Sequence, residues 1–143
     1  MINRVHTVPG ILMVCGFVVF PNLTFSQELT GTVTAVIDGD TIAMNELRIR
    51  LCGIDAPEDG KTGAHEAQRF LELAARGKLA RCIPVGGGSV CDTRSDVTNN
   101  GRVVAQCFVD GEDMADMLTR EGLACDWPKF SGGAYDQAKC SIE

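Results

Sequence analysis

The chain has 143 residues, 45% of them hydrophobic, with 13 lysines and arginines against 19 aspartates and glutamates. That length sustains one globular domain with a single core and argues against a second. A net charge of −6 excludes long-range electrostatic capture of nucleic acid or of an anionic membrane, so any polyanion must be gripped locally.

Residues 1–26 carry Arg4 in a short charged lead, then an apolar run over residues 11–20, then small or polar residues around Thr24 and Ser26. This is the layout of a secretory signal peptide cleaved after Ser26, leaving residues 27–143 as one mature domain, periplasmic or secreted, with no stable membrane association. A membrane-spanning helix fits less well, because it needs about 20 apolar residues and the run breaks at Pro21 and Asn22. A lipoprotein site at Cys15 fits less again, with bulky Val14 before it and more apolar sequence behind. Loss of Cys15 with the leader leaves Cys52, Cys82, Cys91, Cys107, Cys125 and Cys140. An even count in a small exported domain reads as a disulfide framework, with 15 connectivities open. Zinc is disfavoured, since no Cys-x-x-Cys occurs and His65 is the only histidine after the leader. A free buried thiol is the plainer alternative for Cys52, which sits in an apolar strand pattern.

Residues 28–37 alternate and are rich in β-branched side chains, which predicts a strand. Asp38, Gly39 and Asp40 form a turn signal, Thr41 to Met44 a second strand, and Asn45-Glu46 a two-residue turn. In residues 47–54, Leu47, Ile49 and Leu51 share one face while Arg48 and Arg50 take the other. Ala64, Ala67, Phe70, Leu71 and Ala74 recur at helical spacing between Gly63 and Arg76, with Gly77 as the stop. Residues 78–85 and 89–92 read as β-structure around a Gly86-Gly87-Gly88 turn, and residues 102–109 as a strand bounded by Asn99-Asn100-Gly101 and Asp110-Gly111. A second helix fits residues 113–121, where Met114, Met117 and Leu118 share a face and Gly122 ends the run. The tail over residues 127–143 reads as irregular and pinned by Cys140. Three strands, a helix and further strands are the order of an OB-type barrel: an α+β, mainly β fold with a five-stranded closed barrel and two to three helices. A mixed α+β sandwich shares that order.

The chemistry concentrates in residues 36–58, which hold Asp38, Asp40, Glu46, Asp55 and Glu58 together with Arg48 and Arg50. A meander brings the first turn and the 55–58 segment toward one rim. The turn at Asn45-Glu46 sets Asp40 opposite Leu51, so straight strands would carry Asp55 about 13 Å past it at about 3.3 Å per residue. The strand must therefore coil over, and Gly53 is where it can. Carboxylates crowded without lysine or histidine raise one another's pKa unless a cation is bound, and oxygen-only donors suit Ca2+ or Mg2+. Arginine supplies the complementary half, because its planar fork pairs with phosphate oxygens at two points. A metal, arginines and a spare carboxylate are what phosphodiester hydrolysis needs. Taken singly, each piece has an ordinary reading: Asp38 to Thr41 as a plain turn, Asp55 to Glu58 as a strand exit with Pro57 fixing φ, Arg50 on a wet strand face, Arg102 as a strand-start cation, His65 on a helix surface.

The run Ile37-Asp38-Gly39-Asp40-Thr41, then Arg50-Leu51, Ile54-Asp55-Ala56-Pro57-Glu58, Asn100-Gly101-Arg102 and Arg120-Glu121-Gly122-Leu123-Ala124, resembles in content and order the motifs of the thermonuclease, or staphylococcal nuclease-like, family over about residues 29–127. The resemblance implies an OB-fold nuclease that uses one Ca2+ to hydrolyse DNA and RNA, leaving 3′-phosphates. It implies that Asp40 and Asp55 hold the calcium with the carbonyl of Ala56, that Glu58 acts on the attacking water, and that Arg50 and Arg102 bind the scissile phosphate. Nucleic acid is the implied partner and a monomer the expected state. The chain departs from the family pattern at Ala56, where many relatives carry threonine, and at Asn99 and Asn100, where a basic and an aromatic residue are expected. Two other classes compete: a non-catalytic OB-fold module binding nucleic acid or an extracellular polysaccharide, and a purely structural disulfide-rich domain, which leaves the acid and arginine pattern to coincidence.

Overall fold

The computed structural model describes residues 27–136 and 138–140, so the expected signal peptide over residues 1–26 lies outside the described residues. The chain runs β1 (Leu29–Asp38), β2 (Thr41–Met44), β3 (Leu47–Leu51), β4 (Ile54–Asp55), α1 (Ala64–Ala75), β5 (Leu79–Pro84), β6 (Thr98–Asn99), β7 (Arg102–Val109), β8 (Glu112–Asp113), α2 (Met114–Arg120), β9 (Cys125–Asp126) and α3 (Pro128–Ser131). Antiparallel pairing in the order β3-β2-β1-β5-β7 is closed into a ring by a parallel pairing of β3 with β7, which matches Ile49 to Val103 and Arg50 to Val104. The result is a mainly β, OB-type five-stranded mixed barrel with short extra strands and three helices, not a sandwich.

The meander has the expected register, with Met44 paired to Leu47 around a turn in which Asn45 takes a φ of 55°. β1 is less regular than its alternation suggests. Its register against β2 slips between Val33 and Ala35, so Val33 and Val36 both face the core. A second slip, between Val36 and Asp38, leaves two carbonyls, of Val36 and Ile37, that accept from the Gln68 side-chain amide on α1. Ala67, Leu71 and Ala75, along the stripe of α1 that Gln68 borders, seal the barrel with Ile42, Ile49, Leu51, Met114 and Leu118. Leu47, expected on the inner face, is 43% exposed at the start of the strand, beside the Asn45-Glu46 turn.

Two further expectations are corrected. Residues 89–92 form a turn, because the Asp92 carboxylate accepts from the main-chain nitrogens of Gly86, Gly88 and Ser89 and from the Ser89 hydroxyl, which leaves no partners for a ladder. Those four bonds also hold the Asp92 pKa below the ordinary value against its desolvation. The tail is not wholly irregular, since Pro128 starts the four-residue α3 at the position where its missing N–H costs nothing.

The six cysteines pair as Cys52–Cys91, Cys82–Cys107 and Cys125–Cys140. Cys52 is thus bonded, not free. Three disulfides fit a chain that folds in an oxidising compartment. Among the described residues no helix is long and apolar enough to cross a membrane.

Candidate active site

β3 ends at Leu51, whose N–H donates to the Asp40 carbonyl at 2.8 Å, as the two-residue turn requires. The chain then reverses instead of running on. Gly53 takes a φ of 78°, a conformation that a side chain strains. A Cβ there would also lie 2.9 Å from the Ser131 Cβ and 3.2 Å from the Cys91 sulfur, so only glycine fits. The turn sends β4 back to pair with β9, Ile54 against Asp126 and Asp55 against Cys125. The expected overshoot of Asp55 is removed by this reversal.

Arg50 sits inside the reversal. Its guanidinium forms an ion pair with Asp40, donates to the Ile54 carbonyl at 3.2 Å and lies 4.0 Å from the Asp55 carboxylate. Asp40 is only 5% exposed and accepts from the Thr41 hydroxyl at 3.0 Å. That hydroxyl in turn accepts from Arg102 Nη1 at 3.0 Å, and Arg102 also donates to the Asn99 side chain at 2.7 Å and its carbonyl at 3.3 Å. One polar chain therefore runs Asp55, Arg50, Asp40, Thr41, Arg102, Asn99, and it depends on the parallel β3–β7 seam that closes the barrel.

Arg50, Asp55, Glu58 and Arg102 line a single open cleft of about 320 Å³, with Cys52 and Gly53 beside them. Glu58 is exposed, on a loop entered through the buried Pro57. Asp40 lies behind the cleft surface, beneath Arg50. Ala56 is buried at 5%, and its methyl is one of two groups, with that of Ala67, that a Cβ on Gly39 would approach to 2.8 Å. A small residue at 56 is therefore matched to the tight Gly39 turn. His65 is exposed and takes no place in the cleft lining.

Four features of the cleft go beyond the residues expected from sequence. Thr41 couples the two arginines, and its place directly after Asp40 was the available signal. Asn99 orients Arg102. Asp96 and Thr98 form the opposite wall, and no sequence pattern marks them. Trp127 and Phe130, in edge-to-face contact with centroids 4.8 Å apart, form an aromatic lip.

The pKa of Asp40 is raised, chiefly by burial and further by the charge of Asp38, against the opposing pull of Arg50. A cation near this carboxylate would favour its ionised form. Among the described residues no three His, Cys, Asp or Glu side chains gather as a ready metal cluster. The carboxylates around Arg50 are those of Asp40, ion-paired to it, and Asp55, 4.0 Å from it. Oxygen donors of this kind suit a hard cation, not a thiolate- or imidazole-seeking metal.

The raised pKa has a measurable sign. A carboxyl whose folded pKa lies above the ordinary 3.8 contributes stability that is present below 3.8 and lost as pH rises through the folded value. The amide introduced by Asp40→Asn cannot ionise. In urea unfolding without calcium, the stability of the natural chain relative to that variant is expected to fall as pH rises through the carboxylate range and then to level. A difference that grows with pH would show that Arg50, not burial, governs Asp40.

A family model described as staphylococcal nuclease homologue matches residues 48–139, a span that contains Arg50, Asp55, Ala56, Glu58 and Arg102 and begins after Asp40. Over 109 residues, 73% of this chain, the sequence is 30% identical to the succinoglycan biosynthesis protein ExoI of Rhizobium meliloti (strain 1021). The matched stretch covers 56% of that protein, so the chain spans little more than half the length of this relative. With the closed barrel, the cleft of arginines and acids, and a family match over most of the described residues, the chain belongs to the staphylococcal nuclease homologue family.

Proposed function

We propose that this chain is an exported Ca2+-dependent nuclease that hydrolyses phosphodiester bonds of DNA and RNA to 3′-phosphate products. The observation that carries the reading is the convergence of Arg50, Asp55, Glu58 and Arg102 on one cleft with Asp40 directly behind Arg50. Calcium held by Asp40, Asp55 and the Ala56 carbonyl would supply charge neutralisation at the phosphate. Glu58, exposed in the cleft, takes a proton from the attacking water or orients it. Arg50 has five N–H donors, and its bonds to Asp40 and Ile54 leave others for phosphate oxygens. Arg102, held by Asn99 and Thr41, presents a second guanidinium whose cost of ordering is already met in the free protein. The net negative charge of the chain gives no long-range attraction, so these two arginines carry the local grip.

The test is cleavage of single-stranded DNA and of RNA by the oxidised protein, with calcium and then with excess chelator. Calcium-dependent scission with 3′-phosphate ends is expected. A folded sample inert with calcium overturns the reading.

A second reading is favoured by the name of the relative, a succinoglycan biosynthesis protein, and by the Trp127 and Phe130 lip, since aromatic faces also stack on sugars. On that reading the chain is a non-catalytic OB-fold module. Binding of nucleic acid or of an extracellular polysaccharide without any nucleic-acid cleavage would favour it.

A further inference from the structure

The cleft has two walls from distant parts of the chain. One is the β3–β4 reversal with Arg50, Gly53, Asp55 and Glu58; the other carries Asp96, Thr98, Asn99 and Arg102. Arg102 opens β7, but the rest of the second wall lies on a stretch with little regular structure. Between Val85 and Val104 only Ser89 and Cys91 are buried, and Thr98 and Asn99 in the short β6 are exposed. Cys91 is fully buried and bonded to Cys52, which follows β3 directly and lies within the first wall between Arg50 and Gly53. The two sulfurs join Val85 and Val104 in a satellite cluster separate from the barrel core, directly beneath the cleft. Four buried residues, two of them half-cystines, bury little apolar area against the entropy of ordering so long a stretch.

The other two disulfides are placed differently. Cys82–Cys107 joins directly opposed residues of β5 and β7, strands already paired over five positions, and neither residue lines the cleft. Cys125–Cys140 ties the tail to β9, on the same side of the cleft as Asp55. Of the three disulfides only Cys52–Cys91 bridges the two walls, which are otherwise joined by the β3–β7 pairing, by the Cys52 N–H donating to the Ala105 carbonyl, and by Arg102 donating to Thr41.

We infer that the Cys52–Cys91 disulfide is a positioning element of the active site, which locks the wall carrying Arg102 to the wall carrying Asp55 and Glu58 and makes activity depend on oxidation. The effect on turnover rests on the nuclease reading; the locking of the walls does not. When the bond forms, the two thiols give up two protons and two electrons to a disulfide oxidant by thiol–disulfide exchange, and a dithiol reductant reverses the change. In a reducing compartment residues 92–99 are released from the β3–β4 reversal while β3 and β7 stay paired, and the Arg102 side chain loses the fixed Asn99 that orients it toward the phosphate position. Activity then appears on export, so the chain is harmless to nucleic acid where it is made.

The test compares the oxidised natural protein with C52A/C91A, with C52V/C91A, which keeps the satellite cluster apolar should the first variant not fold, and with C82A/C107A. Kinetics on single-stranded DNA are measured beside amide hydrogen exchange over residues 53–58 and 94–103. Loss of Cys52–Cys91 is expected to lower kcat about 100-fold, the scale of a misplacement of about 1 Å, with KM changed less than about threefold. Exchange should quicken in both segments while β1, β2 and β3 stay protected. C82A/C107A should keep kcat and lose stability only. Unchanged exchange in the two segments of both Cys52 variants, or full kcat in either, overturns the inference. Should the natural protein cleave nothing under any condition, the nuclease reading fails, and the exchange data still decide whether the bond couples the walls.

Discussion

Replacing Glu58 by glutamine is expected to lower cleavage about 10²- to 10⁴-fold, the range contributed by a positioned acid or base, while the fold and calcium affinity are retained. The side chain is exposed, and exposed substitutions away from special features usually change stability by about 0.5 kcal/mol or less. Glutamine keeps the size and a hydrogen-bonding oxygen but cannot accept a proton. Steady-state kinetics on single-stranded DNA, urea unfolding and calcium titration are the three measurements. Full activity in a folded variant removes Glu58 from the mechanism, and loss of calcium affinity would make it a ligand instead. If orientation of the water is its main role, Glu58→Gln should retain more activity than Glu58→Ala.

Arg50→Ala should be costly in two ways at once. It removes a phosphate-binding guanidinium, which by analogy with loss of one preorganised donor lowers kcat by about 10²- to 10³-fold. It also strips the charged partner from Asp40, which is 5% exposed and has Arg50 as its ion pair. A buried charge left without its partner is destabilising by about 3–5 kcal/mol, and the raised pKa of Asp40 lets part of that be relieved by protonation, so the loss should be smaller at low pH. Arg102→Ala provides the contrast. Its bonds to Asn99 are exposed and that to Thr41 half-buried, so a similar loss of turnover should come with little loss of stability. Equal destabilisation by the two variants would contradict the assignment of Arg50 as the clamp on Asp40.

Much of the fold was legible because it is local. The alternation of Leu47 to Leu51, the Asn45-Glu46 turn and the helical spacing of Ala64, Ala67 and Leu71 are short-range patterns, and α1 and α2 each end with a single capping residue before Gly77 and Gly122. The β1 bulge was not, because a slipped register shows only against the partner strand. The turn over residues 89–92 has no sequence signature, because an Asp92 carboxylate that saturates neighbouring donors looks, in sequence, like any other polar residue.

For the site, the order of acids and arginines already determined which residue types were available and named all the cleft-lining charges except Asp96. Tertiary structure decided their arrangement. The parallel seam of β3 and β7 unites residues about 50 positions apart, and no local pattern encodes a pairing across that distance. Gly53 and the Cys91 sulfur beside it turn Asp55 back toward Arg50, and the pairing of six cysteines depends on which strands close the barrel. Side-chain chemistry is written residue by residue, whereas the meeting of two walls is a property of the closed chain.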